Sequence, residues 1–252
     1  MPESGPGKIV LFDDFTGGIS LELADTTAPP LGVGNATFTL VGQGLAETDS
    51  GGVLLDVDGL NGVLLLASTD EAEHAAGITT PIMWDVGLMG TIVAECRVRL
   101  PILTELEFFF GFSDVQTDLA ILQGAIAHGG TETFTLTASD ILGFWLSSEL
   151  TASAEWHAIH NGGTVTGVTD STALDLDVNA VADEYDILRI EIDTNGTARW
   201  YINGDVVKTL AGAVSTSVDL ACSLIIEEKG TTTEAHAEVD YMLVKGNRDW
   251  TK

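Results

Sequence analysis

The sequence predicts an all-β fold, an antiparallel β-sandwich or jelly roll, and three observations predict it. Short runs rich in Val, Ile, Leu and Thr recur along the whole chain, bounded by Gly, Asp and Asn. Two Asn-Gly pairs, Asn195-Gly196 and Asn203-Gly204, each separate alternating apolar and polar runs. Both residues of such a pair tolerate positive φ, which makes it the strongest short-range hairpin signal. Finally, sustained apolar spacing of the 3.6-residue kind is almost absent.

The elements follow in order. Lys8 to Phe15 (KIVLFDDF) reads as an opening strand that ends in an acidic turn. Ala36 to Val41, Gly52 to Val57 and Val63 to Ala67 are apolar or alternating runs between turn residues. Ser68 to Gly77 is polar and reads as a loop or one short helix. Thr91 to Leu100 alternates over a long strand, and the aromatic density of Glu105 to Ser113 (ELEFFFGFS) implies core. Gly143 to Ser147, Glu155 to His160 and Thr164 to Val168 continue the pattern. Tyr185 to Asp193, Thr197 to Ile202 and Val206 to Leu210 form a meander across the two Asn-Gly turns, and Ala221 to Glu227 and Ala237 to Val244 close the chain. The expectation is one domain over residues 1–252, with an N-terminal arm over about residues 1–15 that reaches a neighbour.

Composition narrows the partners. Lys plus Arg number 10 against 38 Asp plus Glu, a formal net charge of −28. Such a surface repels nucleic acid and anionic membrane and attracts divalent cations. It also suits a saline setting, where salt screens self-repulsion. Met1 to Gly7 (MPESGPG) has neither the basic nor the apolar region of a signal peptide, so synthesis in a cytoplasm is expected. Cys96 and Cys222 lie inside apolar runs and read as buried free thiols, although sequence leaves their pairing open.

Chemistry-bearing residues are sparse. Glu191 and Asp193 fall on one strand face, but Asn195-Gly196 follows where a second glutamate of a hydrolase motif would stand, and both acids read as a solvated face. His157 and His160 are three apart and cannot share a strand face, which argues against zinc. Asp13, Asp14, Asp56, Asp58, Asp175 and Asp177 are candidate calcium ligands near turns, and no cofactor other than calcium is expected. Trp145 and Trp200 read as core, whereas Trp84, Trp156 and Trp250 are candidates for contact with a glycan or a protein. No catalytic residue is assigned.

Two stretches resemble known proteins. Tyr185 to Asp193 (YDILRIEID), Gly196 and Arg199 to Gly204 (RWYING), with Val239 to Val244 and Arg248, resemble the laminin-G-like and concanavalin A-like lectin/glucanase superfamily. Glu95 to Leu100, Gly111 to Asp114, Asp140 to Phe144 and Gly162 to Val165 resemble virion-associated proteins of tailed bacteriophages that carry that fold. The resemblance spans about residues 90–248. It implies a concanavalin A-like jelly roll and a non-enzymatic virion protein, a capsid decoration or cement protein on the outside of a phage head. The implied partners are the major capsid protein and further copies of the chain, as a homotrimer. The alternative it implies is a lectin-like carbohydrate-binding module on a phage tail or fibre.

Overall fold

The computed structural model describes residues 7–16, 21–22, 38–42, 52–55, 62–68, 74–115, 125–128, 132–230 and 233–248. In chain order the first strands are β1 (Lys8–Asp13), β2 (Leu21–Glu22), β3 (Thr39–Gly42), β4 (Gly52–Leu55), β5 (Leu64–Ala67), β6 (Ala75–Thr79) and β7 (Trp84–Asp85). Next come β8 (Ile92–Arg99), β9 (Leu106–Ser113), β10 (Ile126–His128), β11 (Phe134–Leu136), β12 (Ile141–Ser147) and β13 (Glu155–Asn161). The last are β14 (Asp175–Asn179), β15 (Tyr185–Ile192), β16 (Ala198–Ile202), β17 (Asp205–Leu210), β18 (Asp219–Glu228) and β19 (His236–Asn247). No α-helix occurs among the described residues.

The strands form two antiparallel sheets and a hairpin. A nine-stranded sheet runs β17-β16-β15-β8-β19-β5-β4-β2, and β1 lies beside the second half of β19. An eight-stranded sheet runs β14-β13-β12-β9-β18-β6-β3, with β7 on β18. The main core lies between them, built from alternate residues of each strand: Ala94, Cys96 and Val98 of β8, Leu188 and Ile190 of β15, Phe108, Phe110 and Phe112 of β9.

A second apolar cluster covers the opposite face of the eight-stranded sheet. Phe109, Ile141, Trp145, Ile159 and Ile225 point that way and are buried by Ala125, Ile126, Phe134 and Ala138 of the β10–β11 hairpin and its flanks. This is why β9 and β12 are buried at every position, where a half-exposed strand would alternate. Gly143 is required here: a Cβ would stand 2.5 Å from Phe109 Cε2, so the Phe109 ring lies flat over a bare backbone.

Four expectations change. Lys8–Asp13 is the opening strand expected over Lys8 to Phe15, and because it pairs along its length with Met242–Asn247 this part of the expected arm lies in the chain's own sheet. Ala75–Thr79, of which Ala75 to Gly77 was expected in a loop or one short helix, is a strand between β18 and β3. Thr164–Val168 is irregular because its backbone turns back to the 212 region, where Val165 N–H donates to Gly212 O at 3.1 Å. Asp175–Asn179 is an edge strand although Asp and Asn disfavour strands, because its neighbour Glu155–Asn161 supplies the pairing.

Candidate functional site

Three polar constellations arise from this frame. The first is a rim. Consecutive antiparallel strands bring the end of β9, the start of β12 and the end of β13 to one edge of the eight-stranded sheet. Asp114, Asp140 and Asn161-Gly162-Gly163 meet there, joined by the 212–217 turn. Asp114 N–H donates to Asp140 O at 3.0 Å, and Ser215 N–H donates to Asp140 Oδ1 at 3.2 Å. Gly162 has φ +94°, and a Cβ on it would stand 2.0 Å from Asp140 Oδ1. The Asp140 carboxyl is held above the ordinary range by burial and by the neighbouring Asp114 charge, opposed by the Ser215 N–H. Asp114 Oδ1 is enclosed and has no hydrogen-bond partner among the described residues. The hydroxyls of Ser215 and Ser217 lie 3.1 Å apart on the turn that holds Asp140.

The second constellation is sealed beneath the β10–β11 hairpin. Ser147, Glu107 and Glu227 face one another across β12, β9 and β18. Lys229 Nζ lies 3.2 Å from Glu107 Oε2, 3.2 Å from Glu227 Oε1 and 3.8 Å from Glu149 Oε2. Trp145 Nε1 donates to Glu107 Oε1 at 2.6 Å. Burial pushes the Glu107 carboxyl up against the pull of Lys229 and Trp145. Burial pulls the Lys229 ammonium down, but Glu107 and Glu227 outweigh it and hold it above its usual range. His128 Nδ1 stands 3.4 Å from Ser147 Oγ and 3.3 Å from Glu149 Oε2. A Ser-His-acid relay needs the two partners on opposite ring nitrogens, and here both approach Nδ1. Glu107 and Ser147 are 0% exposed, and the cluster ties β9, β12 and β18 together.

The third is a lattice on the outer face of the nine-stranded sheet. Arg97 pairs with Asp240 at 2.6 Å and its guanidinium stacks on Tyr185 at 3.9 Å. Arg99 pairs with Glu238 and with Asp183 at 3.2 Å. Arg189 bridges Glu95 at 3.3 Å and Glu191. Tyr241 and Tyr201 donate to Glu95 and Glu191, each at 2.9 Å. Arg199 pairs with Asp193 at 2.6 Å. Glu191 and Asp193 are therefore a paired outer face, as their alternation with Ile190 and Ile192 predicted.

The candidate ligands and contact residues are placed elsewhere. Asp13 and Asp14 cap their own turn through bonds to Phe15 N–H at 2.9 Å and Thr16 Oγ1–H at 2.8 Å. Asp175 stands 2.8 Å from His157 Nε2, so its charge faces an imidazole. Asp177 is exposed at φ +55°, and Asp56 and Asp58 lie outside the described residues. Among the described residues no group of three or more His, Cys, Asp or Glu is placed to hold a metal ion. His157 faces the outer side of its sheet beside Trp145, whereas His160 faces the core side with Trp156. Trp84 and Trp156 are 0% and 1% exposed, which overturns a surface contact for either. Their indole N–H groups are used internally, on Thr80 Oγ1 at 3.0 Å and Asp186 Oδ2 at 3.1 Å. Trp250 lies outside the described residues. Trp145 and Trp200 are core, and Cys96 and Cys222 are buried free thiols.

Sequence reasoning missed the convergence at the rim and the Lys229 cluster. Asp114, Asp140 and Gly162 already stood at the ends of consecutive runs, which was the available signal. Nothing in the local sequence pairs Lys229 with Glu107.

No protein-family model and no curated protein matches the chain. Solved structures do. Peanut lectin superposes with TM-score 0.54 at 12% identity, covering 95% of this chain and 97% of its own. The carbohydrate recognition domain of Emp47p gives 0.52 at 12% identity, over 90% and 94%. A structure from work on endo-acting O-glycanases of human gut microbiota, which initiate mucin breakdown, gives 0.56 at 10% identity, over 92% and 97%. The shared fold is the concanavalin A-like β-sandwich.

Proposed function

We propose that this chain is a carbohydrate-binding module whose ligand sits at the rim formed by Asp114, Asp140, Gly162 and Ser215. The observation that carries the reading is the meeting of two carboxylates, Asp114 and Asp140, at adjoining strand ends, with Asp140 Oδ1 against the bare backbone of Gly162. Sugar hydroxyls donate to carboxylates, and a carboxylate offers about four acceptor positions. Glycine lets a ring approach the main chain closely. The fold shared with a lectin and a carbohydrate recognition domain supports the same reading by analogy.

Binding is proposed over hydrolysis because the sealed carboxylates, Glu107 and Glu227, are held by Lys229 and by the hairpin above them. Affinity electrophoresis through a panel of neutral and acidic polysaccharides tests the reading. The native chain should be retarded by at least one, and Asp114→Asn and Asp140→Asn should each weaken that retardation by roughly tenfold, the value of one charge-assisted hydrogen bond. Glu95→Gln, on the far face, should leave it intact. Retardation by no polysaccharide would overturn the proposal. Reducing ends released by the native chain and lost in both variants would replace binding with hydrolysis.

As the setting we propose a virus particle, which rests on the likeness of residues 95–165 to phage virion proteins. The copy number of the chain in purified particles, measured against the shell protein, tests it: near-equal numbers place it on a capsid, and a few copies place it on a tail.

A further inference from the structure

Charge is divided unevenly over this molecule. Lys8, Arg97, Arg99, Arg189, Arg199 and Lys245 all emerge on the outer face of the nine-stranded sheet, six of the ten bases in the chain. The acids paired with those arginines are Asp183, Glu95, Glu191, Asp193, Glu238 and Asp240. Guanidinium and carboxylate balance one another within this lattice, whereas the chain as a whole carries a formal charge of −28.

We propose that this face is a self-association surface on which a second copy of the chain packs, face to face, about a twofold axis. A second copy carries the same −28, so association is resisted overall and is least opposed where guanidinium and carboxylate balance one another. Rows of alternating guanidinium and carboxylate are self-complementary under a twofold. A basic foreign partner would be drawn to the acidic remainder instead, and an acidic one would be repelled by it.

The composition agrees. Tyr185, Tyr201 and Tyr241 stand among the arginines, and aromatic residues and Arg are the types enriched at protein interfaces. Two large apolar side chains are left exposed on the same face, Phe12 at 52% beside Tyr241 and Val206 at 55% opposite Tyr201. The size also agrees. Six strand columns at about 4.8 Å and eight residues at about 3.3 Å span roughly 750 Å². A standard interface takes about 800 Å² from each partner.

Sedimentation velocity of the full chain at about 50 μM, in 50 mM and 1 M NaCl, tests this. Each copy is 26.5 kDa, and the expected species has twice that mass. Its share should rise with salt, because screening removes the long-range repulsion between the acidic remainders. Phe12→Asp and Tyr201→Asp should return the chain to monomer without lowering its thermal midpoint by more than a few degrees. Ile82→Asp, at an exposed apolar position beside β18 of the other sheet, should leave the dimer unchanged. A monomer at both salt concentrations overturns the proposal. So does a trimer, or a dimer that withstands both face variants.

Discussion

Lys229→Met removes the one ammonium from the sealed cluster while keeping the length and apolar character of the stem. The side chains of Lys229, Glu107 and Glu227 are 3%, 1% and 1% exposed, so neither carboxylate regains water when the partner goes. Breaking a buried ion pair from one side costs about 3–5 kcal/mol. The Trp145 N–H still holds Glu107 at 2.6 Å, which offsets part of the loss, while Glu149 at 3.8 Å from the former ammonium adds a third charge. The expected loss is therefore about 4 kcal/mol. Against a total of about 5–15 kcal/mol this is severe. At about 2–4 °C per kcal/mol it lowers the thermal midpoint by roughly 8–16 °C. The assay is urea unfolding followed by the fluorescence of the buried tryptophans, at pH 8 and at pH 5. Burial already holds the Glu107 carboxyl above its usual range, and loss of Lys229 raises it further. A carboxyl raised on folding favours the folded state at low pH and loses that advantage as pH rises through its folded value. The deficit of the variant should thus shrink from pH 8 to pH 5, and Glu107→Gln in the Lys229→Met background should recover part of it. A loss below about 1 kcal/mol, or one equal at both pH values, would refute the reasoning and mean that water reaches these groups.

Three further outcomes are expected. Burial lowers the pKa of both His157 and His160, so the folded chain resists protonating them. The stability they contribute is present above about pH 6.5 and is lost as pH falls below it, by at most about 1.4 kcal/mol per pH unit for each. His157→Phe with His160→Phe should flatten the urea midpoint between pH 7 and pH 5, and an unaltered slope would count against this. Gly162→Ala imposes a side chain at φ +94° and drives its Cβ into Asp140 Oδ1. It should cost about 1–3 kcal/mol and displace the Asp140 carboxylate, seen as a thermal shift together with lost polysaccharide retardation; a stable variant that still binds would contradict the rim assignment. Burial also pushes both thiols up, Cys96 further through Cys222 and Glu95. A maleimide should label neither cysteine in the native chain and both in urea, and rapid native labelling would show that the core opens.

The sequence made some of this legible. β8, β15 and β16 alternate cleanly because one face of each meets the core and the other carries the ion lattice, so their faces could be read residue by residue. The run Phe108-Phe109-Phe110 reads as core from its aromatic density; its lack of alternation is the mark of a strand covered on both sides, as β9 is. β6 was missed because Ala75-Ala76-Gly77 offers small residues where strands usually show branched ones. Its pairing comes from β18, about 150 residues later. Thr164 to Val168 misled in the opposite direction, with strand-like composition and no partner strand. The rim needed only the order β9-β12-β13, but the excursion from Val115 to Ala138 separates its first two members and hides it. The candidates Trp84 and Trp156 failed because a ring near a predicted loop or strand end can still be the largest apolar group available to the core, as Trp84 is.

The two outer faces satisfy their polar groups by different means, and this decides what is left for a ligand. On the eight-stranded sheet the hairpin seals the ionic cluster from water. On the nine-stranded sheet guanidinium and carboxylate satisfy one another in the open. The rim is where an enclosed carboxylate oxygen stays unmatched, and loops between rigid strands are where recognition is most readily built. A face-to-face pair would leave both rims clear, since neither belongs to the packed face. Two rims on one particle make the second engagement of a polymer intramolecular, which can raise apparent affinity by about 10²–10⁴. Phe12→Asp should then weaken retention on a polysaccharide while leaving the affinity for a short oligosaccharide unchanged. Equal retention of monomer and dimer on the polymer would mean that the two rims do not act together.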